Sequence, residues 1–297
     1  MLVSALLLLS SSWNVQANGK KARAGNRSDA IIIPSAVINY VRPNLFWSNR
    51  QYAGPASLWN PDKGFLVQSI DFESTHPELY HLNFPTTGMN KLYFDLLITE
   101  VDINELKWEP VTHEGITATV TNVVPNDYWI PDEDKGQVVA RVKLTGPWGL
   151  SSQIKPRLPQ TFELVGRDIN TGDGVVKYGF VLKQWFVIGG RAAYSDNLAE
   201  CNSLGYRIPR VRDLTNSNYK NLGATPSSSG NYYMRHIGGG FFSEWGFMLD
   251  YADSVSRDFG YWTSDASGSG QFSVSSHGGN VLSLSADYSG YKICTTP

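Results

Sequence analysis

Five residues within eleven positions, Asp71, Glu73, His76, Glu78 and His81, have the side chains that hold metal ions. A zinc site usually sets two ligands closely on a helix or hairpin and adds a third at a defined distance. This run lacks that spacing and reads as surface turn residues ahead of a strand. A second acidic group, Asp250, Asp253, Asp258 and Asp265, offers the oxygen ligands that Ca²⁺ prefers. Its default reading is solvated loop carboxylates, and no metal or other cofactor is expected. No Gly-x-Ser-x-Gly elbow, phosphate-cradling loop or dinucleotide fingerprint is present. A pair of carboxylates assembled in space would make a hydrolase, but no motif favours catalysis, and the chain is expected not to be an enzyme.

The residues best suited to recognition lie between positions 232 and 251. Tyr232, Tyr233, Phe241, Phe242, Trp245, Phe247 and Tyr251 make this stretch denser in aromatics than the 12% average of the chain. Tyr and Arg combine apolar area with a polar handle and are enriched in binding hot spots. Tyr232, Tyr233, Arg235, Trp245 and Tyr251 are therefore the candidate binding surface, with Trp245 and Trp262 also expected to contribute packing.

These residues must be carried by a scaffold, and composition narrows the choice. A chain of 297 residues fills two ordinary domains. Its 25 basic and 27 acidic side chains form no long run of like charge, which argues against a nucleic-acid partner. Residues 1–17 read as a signal peptide: Leu2 to Leu9 is apolar, and Ala17 is a suitable cleavage boundary. No other stretch approaches the roughly 20 apolar residues of a membrane helix, so the mature protein is expected to be secreted and not membrane-spanning. In a cytosolic protein Cys201 and Cys294 would be two buried thiols, but outside the cytoplasm thiols tend to pair. A bond across so long a loop would remove roughly 4 to 5 kcal/mol of unfolded-chain entropy.

Residues 18–60, with Pro34, Pro43 and Pro55, suggest an extended arm or edge strands. Across residues 61–183 strand signals recur. Leu92 to Ile98 is a buried run, Ile116, Ala118 and Val120 alternate with threonines, and Val138, Ala140, Val142 and Leu144 face one way. Phe162 to Val165 and Val175 to Leu182 flank a turn at Asn170 to Gly174. The whole reads as an immunoglobulin-like β-sandwich. From residue 184 to 297 the pattern changes. A strand, Trp185 to Ile188, precedes a helix with Ser195 as N-cap, Leu198, Cys201 and Leu204 on its inner stripe, and Gly205 as its stop. A second short helix begins near Pro209, a loop runs from Gly223, and strands return after Tyr261.

This order, together with Arg207 to Thr215, Gly240 to Gly246 and Tyr261 to Gln271, resembles the C-type-lectin-like tips of enterobacterial invasin- and intimin-like adhesins. Asn83-Phe-Pro-Thr-Thr-Gly88 is similar to the sandwich repeats that precede those tips. The resemblance spans residues 64 to 297. It implies a mainly β fold, a sandwich followed by a lectin-like module of the α+β kind, closed by a disulfide between Cys201 and Cys294. The calcium-binding Glu-Pro-Asn and Trp-Asn-Asp motifs of sugar-binding C-type lectins are missing. The chain has no room for the outer-membrane barrel of the large adhesins and so looks like the small exported proteins of the ZirS type, which pair with a separate intimin-like barrel. The resemblance thus implies a secreted, adhesin-like or host-modulating protein, exported by such a barrel and contacting a host or bacterial surface protein or glycan through its lectin-like tip. A calcium-independent carbohydrate-binding module is the alternative.

Overall fold

The computed structural model describes residues 36–68, 77–149, 154–251, 260–268 and 270–297. The expected signal peptide and Asp71, Glu73, His76, Asp253 and Asp258 lie outside them. The first half is built from β1 Val37–Arg42, β2 Trp59–Asn60, β3 Gly64–Leu66, β4 Thr87–Met89, β5 Tyr93–Thr99 and β6 Leu106–Trp108. It continues with β7 Val111–His113, β8 Ile116–Val123, β9 Val139–Thr145, β10 Gln160–Asp168 and β11 Gly174–Leu182. Seven of these form one sheet in the order β2-β3-β1-β5-β9-β8-β7, and three form a second in the order β11-β10-β6. The alternation read in the sequence sets the inner face: Ile116, Ala118 and Val120 of β8 and Ala140, Val142 and Leu144 of β9 are buried. Phe94 of β5 meets Tyr178 and Phe180 of β11, with ring centroids 6.1 and 6.0 Å apart, so the two sheets close on one core as a β-sandwich.

Residues 36–60 are not an arm. β1 lies between β3 and β5, pairing antiparallel with both, and its Ile38 and Val41 are buried. Pro43 falls just past the end of β1, so it bounds this strand without removing a ladder donor from it.

In the second half, β12 Gln184–Ala192 is followed by α1 Tyr194–Ser203, α2 Val211–Leu214 and α3 Phe241–Trp245, then β13 Gly260–Ser267, β14 Gly270–Ser275, β15 Val281–Ser285 and β16 Gly290–Thr295. Their sheet has the order β15-β14-β13-β16-β12-β4. Cys201 on α1 and Cys294 on β16 form a disulfide, with Cα atoms 5.5 Å apart. The fold is mainly β, a sandwich followed by an α+β module. Ala193, not Ser195, precedes α1, and Asn197 and Cys201 form its buried face while Leu198 is exposed. Asn197 and Cys201 are four residues apart and so share one side of the helix, which turns Leu198 away. Gly205, at φ 70°, does end the helix in the left-handed conformation that glycine tolerates.

One edge strand of this six-stranded sheet, β4, comes from the first half of the chain. Gln184, Trp185 and Phe186 pair in parallel with Thr87, Gly88 and Met89. A Cβ at residue 88 would sit 2.9 Å from the Trp185 ring, so only glycine lets the strand approach. Trp245 of α3 packs on Phe84 at 4.8 Å and donates its indole N–H to the Thr87 carbonyl at 3.0 Å. Residues on both sides of position 183 thus share one core, and the described residues form one compact unit.

Candidate binding surface

Burial decides against most of the surface proposed from sequence. Tyr233, Arg235, Trp245 and Tyr251 are at most 1% exposed; of the five, Tyr232 alone is partly open to solvent. The segment that carries them is tied into the fold by side chains that aromatic density does not reveal. Its α3 helix, Phe-Phe-Ser-Glu-Trp, is buried on every side, so it shows none of the polar and apolar periodicity by which a surface helix is recognised.

Glu244 in this helix fastens the two halves of the chain together. Its carboxylate accepts hydrogen bonds from the backbone N–H groups of Thr86 and Thr87 at 3.1 and 2.9 Å, from both threonine hydroxyls, and from Gly238 N–H at 2.8 Å. A buried carboxylate is tolerated when its lone pairs are satisfied in this way. Two sequence motifs that carry the resemblance, Asn83 to Gly88 and Gly240 to Gly246, therefore meet at one buried clasp.

Arg235 and Tyr251 work from beneath the surface on the loop after β1. The Arg235 guanidinium lies 4.5 Å from the Trp59 ring centre and donates to the Asn44 carbonyl. Burial pushes the Arg235 pKa down and the Tyr251 hydroxyl pKa up. The Tyr251 hydroxyl accepts from Asn44 N–H at 3.0 Å and donates to the Trp245 carbonyl at 2.9 Å. The Asn44 side chain, fully buried, donates to the Phe247 carbonyl at 2.8 Å and to Asp250 at 3.1 Å, and accepts from Phe46 N–H at 2.6 Å. One asparagine thus fixes how the chain turns out of β1 and presents Phe46.

Opposite that loop, the segment between β8 and β9 is held as firmly. Asp127 accepts from Arg141 at 2.6 Å and from the Tyr93 hydroxyl at 2.7 Å; Arg141 also grips Asp95 at 2.7 Å and stacks 4.3 Å over the Tyr93 ring. Burial raises the Asp95 pKa against the lowering pull of Arg141 and Arg42. Asp134 is bound by Arg42 and, at 2.9 Å, by Lys63. Charge-assisted bonds of this kind are the stronger ones.

Between the two anchored loops opens a cleft of about 430 Å³, lined by Leu45, Phe46, Trp47, Ser48, Asn49, Tyr128 and Trp129. Phe46 is 36% exposed and Tyr128 60% exposed, and their rings stand 5.7 Å apart. Partial burial and a hydrogen bond to Asp250 raise the pKa of the Tyr128 hydroxyl. The aromatic face continues from Phe46 to Phe247 at 5.4 Å, from Trp47 to His277 at 5.3 Å and to Tyr52 at 5.2 Å, and from Tyr52 to Tyr232 at 5.8 Å. Trp47 holds φ 53°, a conformation costly to a bulky side chain and found where surrounding structure imposes it. Rings presented on rigid loops form a contact surface whose ordering entropy is already spent.

The remaining sequence candidates are occupied elsewhere or scattered. Asp265 accepts from Val211 N–H at 2.7 Å, and among the described residues no cluster of three His, Cys, Asp or Glu side chains is placed to hold a metal. The cleft itself was missed. Its sequence signal is two aromatic pairs, Phe46-Trp47 and Tyr128-Trp129, each two residues or fewer after an Asn or Asp that can set a turn.

No family model matches the chain, and no curated protein does. Among solved structures it is similar to invasin, described as a bacterial integrin-binding protein, with 16% identity over 73% of this chain and a TM-score of 0.47. It is also similar to a mutant intimin of EHEC O157:H7, with 11% identity over 87% of this chain and 96% of that one and a TM-score of 0.43. A third likeness is to intimin in its complex with Tir90, with 13% identity over 72% of this chain and 88% of that one and a TM-score of 0.42. The chain spans 36% of the invasin structure. No helix among the described residues is long and apolar enough to cross a membrane.

Proposed function

We propose that this chain is a secreted, adhesin-like binding protein without catalytic activity, which grips a protein partner through the aromatic cleft between the loops at Phe46 and Tyr128. The observation that carries the reading is the exposure of these two rings on loops whose bases are fixed by Asn44, Asp127 and Arg141. Exposed aromatics backed by a rigid frame supply the apolar anchors on which protein contacts concentrate their energy. Export with the help of a separate intimin-like outer-membrane β-barrel, as for proteins of the ZirS type, belongs to the same proposal and rests on the ordered sequence motifs.

The test is binding of the labelled full chain to host-cell surfaces before and after surface proteolysis. Proteolysis and the substitutions Phe46→Ala and Tyr128→Ala should each lower binding at least tenfold; binding indifferent to all three would refute the cleft as the contact. Export is checked by secretion with and without a co-expressed intimin-like barrel. Equal secretion in both cases removes that partner.

A further inference from the structure

A second groove, on a different part of the surface, has an unbalanced set of hydrogen-bonding groups. It measures about 550 Å³ and runs along the seam where β12 leaves β11, between Thr86 and Thr87 on one side and Asn221 to Thr225 on the other. That volume is in the range of small-ligand sites. Two cations line it, Lys183 and Arg212, and both are exposed. Neither makes an ion pair or side-chain hydrogen bond with another described residue, as the charged pairs around them make clear. Asp213, the acidic residue lining the groove, is neutralised by its ion pair with Arg207 at 2.6 Å; the same oxygen, Oδ2, also accepts from Arg210 N–H at 2.7 Å. Glu244, below Thr86 and Thr87, is saturated by the clasp described above.

The groove therefore presents an excess of donors over free anionic acceptors. The side chains of Gln184, Asn221 and Thr225 add neutral donors and acceptors that are likewise uncommitted. Its frame is rigid. Lys183 N–H donates to the Thr86 carbonyl at 2.7 Å, and Ala224 N–H to the Thr215 carbonyl at 2.9 Å. At Gly240, with φ 98°, an added Cβ would come within 2.5 Å of Thr215 N, which keeps that wall backbone-thin.

We propose that this groove binds a carboxylate-bearing saccharide. The guanidinium of Arg212 has the fork geometry that matches a carboxylate, with Lys183 as a second, more mobile charge. Gln184, Asn221 and Thr225 match ring hydroxyls, which can both donate and accept. An acidic peptide is the poorer match, since peptide sites draw on a free sheet edge or apolar side-chain pockets: the β4 backbone that reaches this groove at Thr87 is already bonded to Glu244 and Trp245, and the only apolar side chain lining the groove is Ala224. The site is separate from the aromatic cleft and goes beyond the reading of that cleft.

Calorimetric titration of the full chain with trigalacturonate and with 3′-sialyllactose tests the assignment. Maltotriose and lactose serve as neutral counterparts, and hexaglutamate as a peptide of similar charge density. At least one acidic sugar should bind, more tightly than its neutral counterpart and less tightly as salt is raised. Lys183→Gln and Arg212→Gln should each weaken it about tenfold while leaving the melting temperature in place; Tyr128→Ala should leave it unchanged, whatever that substitution does to partner binding. The proposal is overturned if neither acidic sugar binds, if both groove variants bind within twofold of the parent, or if hexaglutamate binds as well as the sugars.

Discussion

The aromatic side chains of residues 233–251 and those at positions 46 and 128 face opposite environments, although the first group looks the more surface-like in sequence. Tyr233, Trp245 and Tyr251 sit in a segment rich in Gly and Ser, the composition of a loop, and are buried. Phe46 and Tyr128 sit beside proline and asparagine in shorter turns and are open to solvent. The difference lies in long-range polar partners. The first group is drawn inward by Glu244 reaching Thr86 and Thr87 and by Arg235 reaching Asn44, whereas the second is propped outward by Asn44 and Asp127. Aromatic density in a loop therefore says little about exposure until the buried acids and amides around it are placed.

The largest blow to the buried side of this contrast is loss of the disulfide. Cys294→Ser should lower stability by about 4 to 5 kcal/mol on the loop-closure account. Because β4 and the Glu244 clasp bind the halves together, urea unfolding followed by fluorescence and by circular dichroism should give one coincident transition; two separated transitions would restore independent domains. Glu244→Ala comes next, at about 3 kcal/mol, since it strands the donors of Thr86, Thr87 and Gly238 in a buried setting. Chemical denaturation measures it, and a loss under 1 kcal/mol would mean that the clasp is not what holds these aromatics inside.

Alkaline pH probes the same interior more gently. Burial pushes the Tyr206 hydroxyl up to about 12 and raises those of Tyr178, Tyr233 and Tyr251 above their usual value. Between the ordinary tyrosine pKa of about 10 and these raised values, the unfolded chain gives up protons that the folded chain keeps. Their contribution is thus complete below pH 10 and is lost as pH rises through the folded values. Melting temperature should hold up to about pH 10 and then fall, whereas a flat profile to pH 12 would show that these hydroxyls ionise without unfolding. The smallest structural effect belongs to the open side: Tyr128→Ala should change stability by no more than about 0.5 kcal/mol while costing at least tenfold in partner binding, read by surface plasmon resonance once a partner is in hand.

Much of the sandwich was legible because period-two alternation is local: β5, β8, β9 and the β10–β11 hairpin follow directly from it. The helix bearing Cys201, the short helix from Val211 and the pairing of the two cysteines were legible too, the last through the resemblance. Three things were not. β1 has a sequence like that of an edge strand and becomes internal only because β3 and β5 flank it. α3 has no polar face to betray it. The open cleft joins residues 45–49 to 128–129, and the buried asparagine that shapes one wall is an ordinary turn residue when read locally.

The strand order of the six-stranded sheet also dictates a timetable. β16 lies between β13 and β12, so residues 290–295 are the wedge that completes the middle of that sheet, and Cys294 cannot meet Cys201 before they arrive. While a chain is still being made, the half that begins at β12 lacks its central strand and remains unclosed. Its final packing and its covalent lock are therefore deferred until β16 is in place.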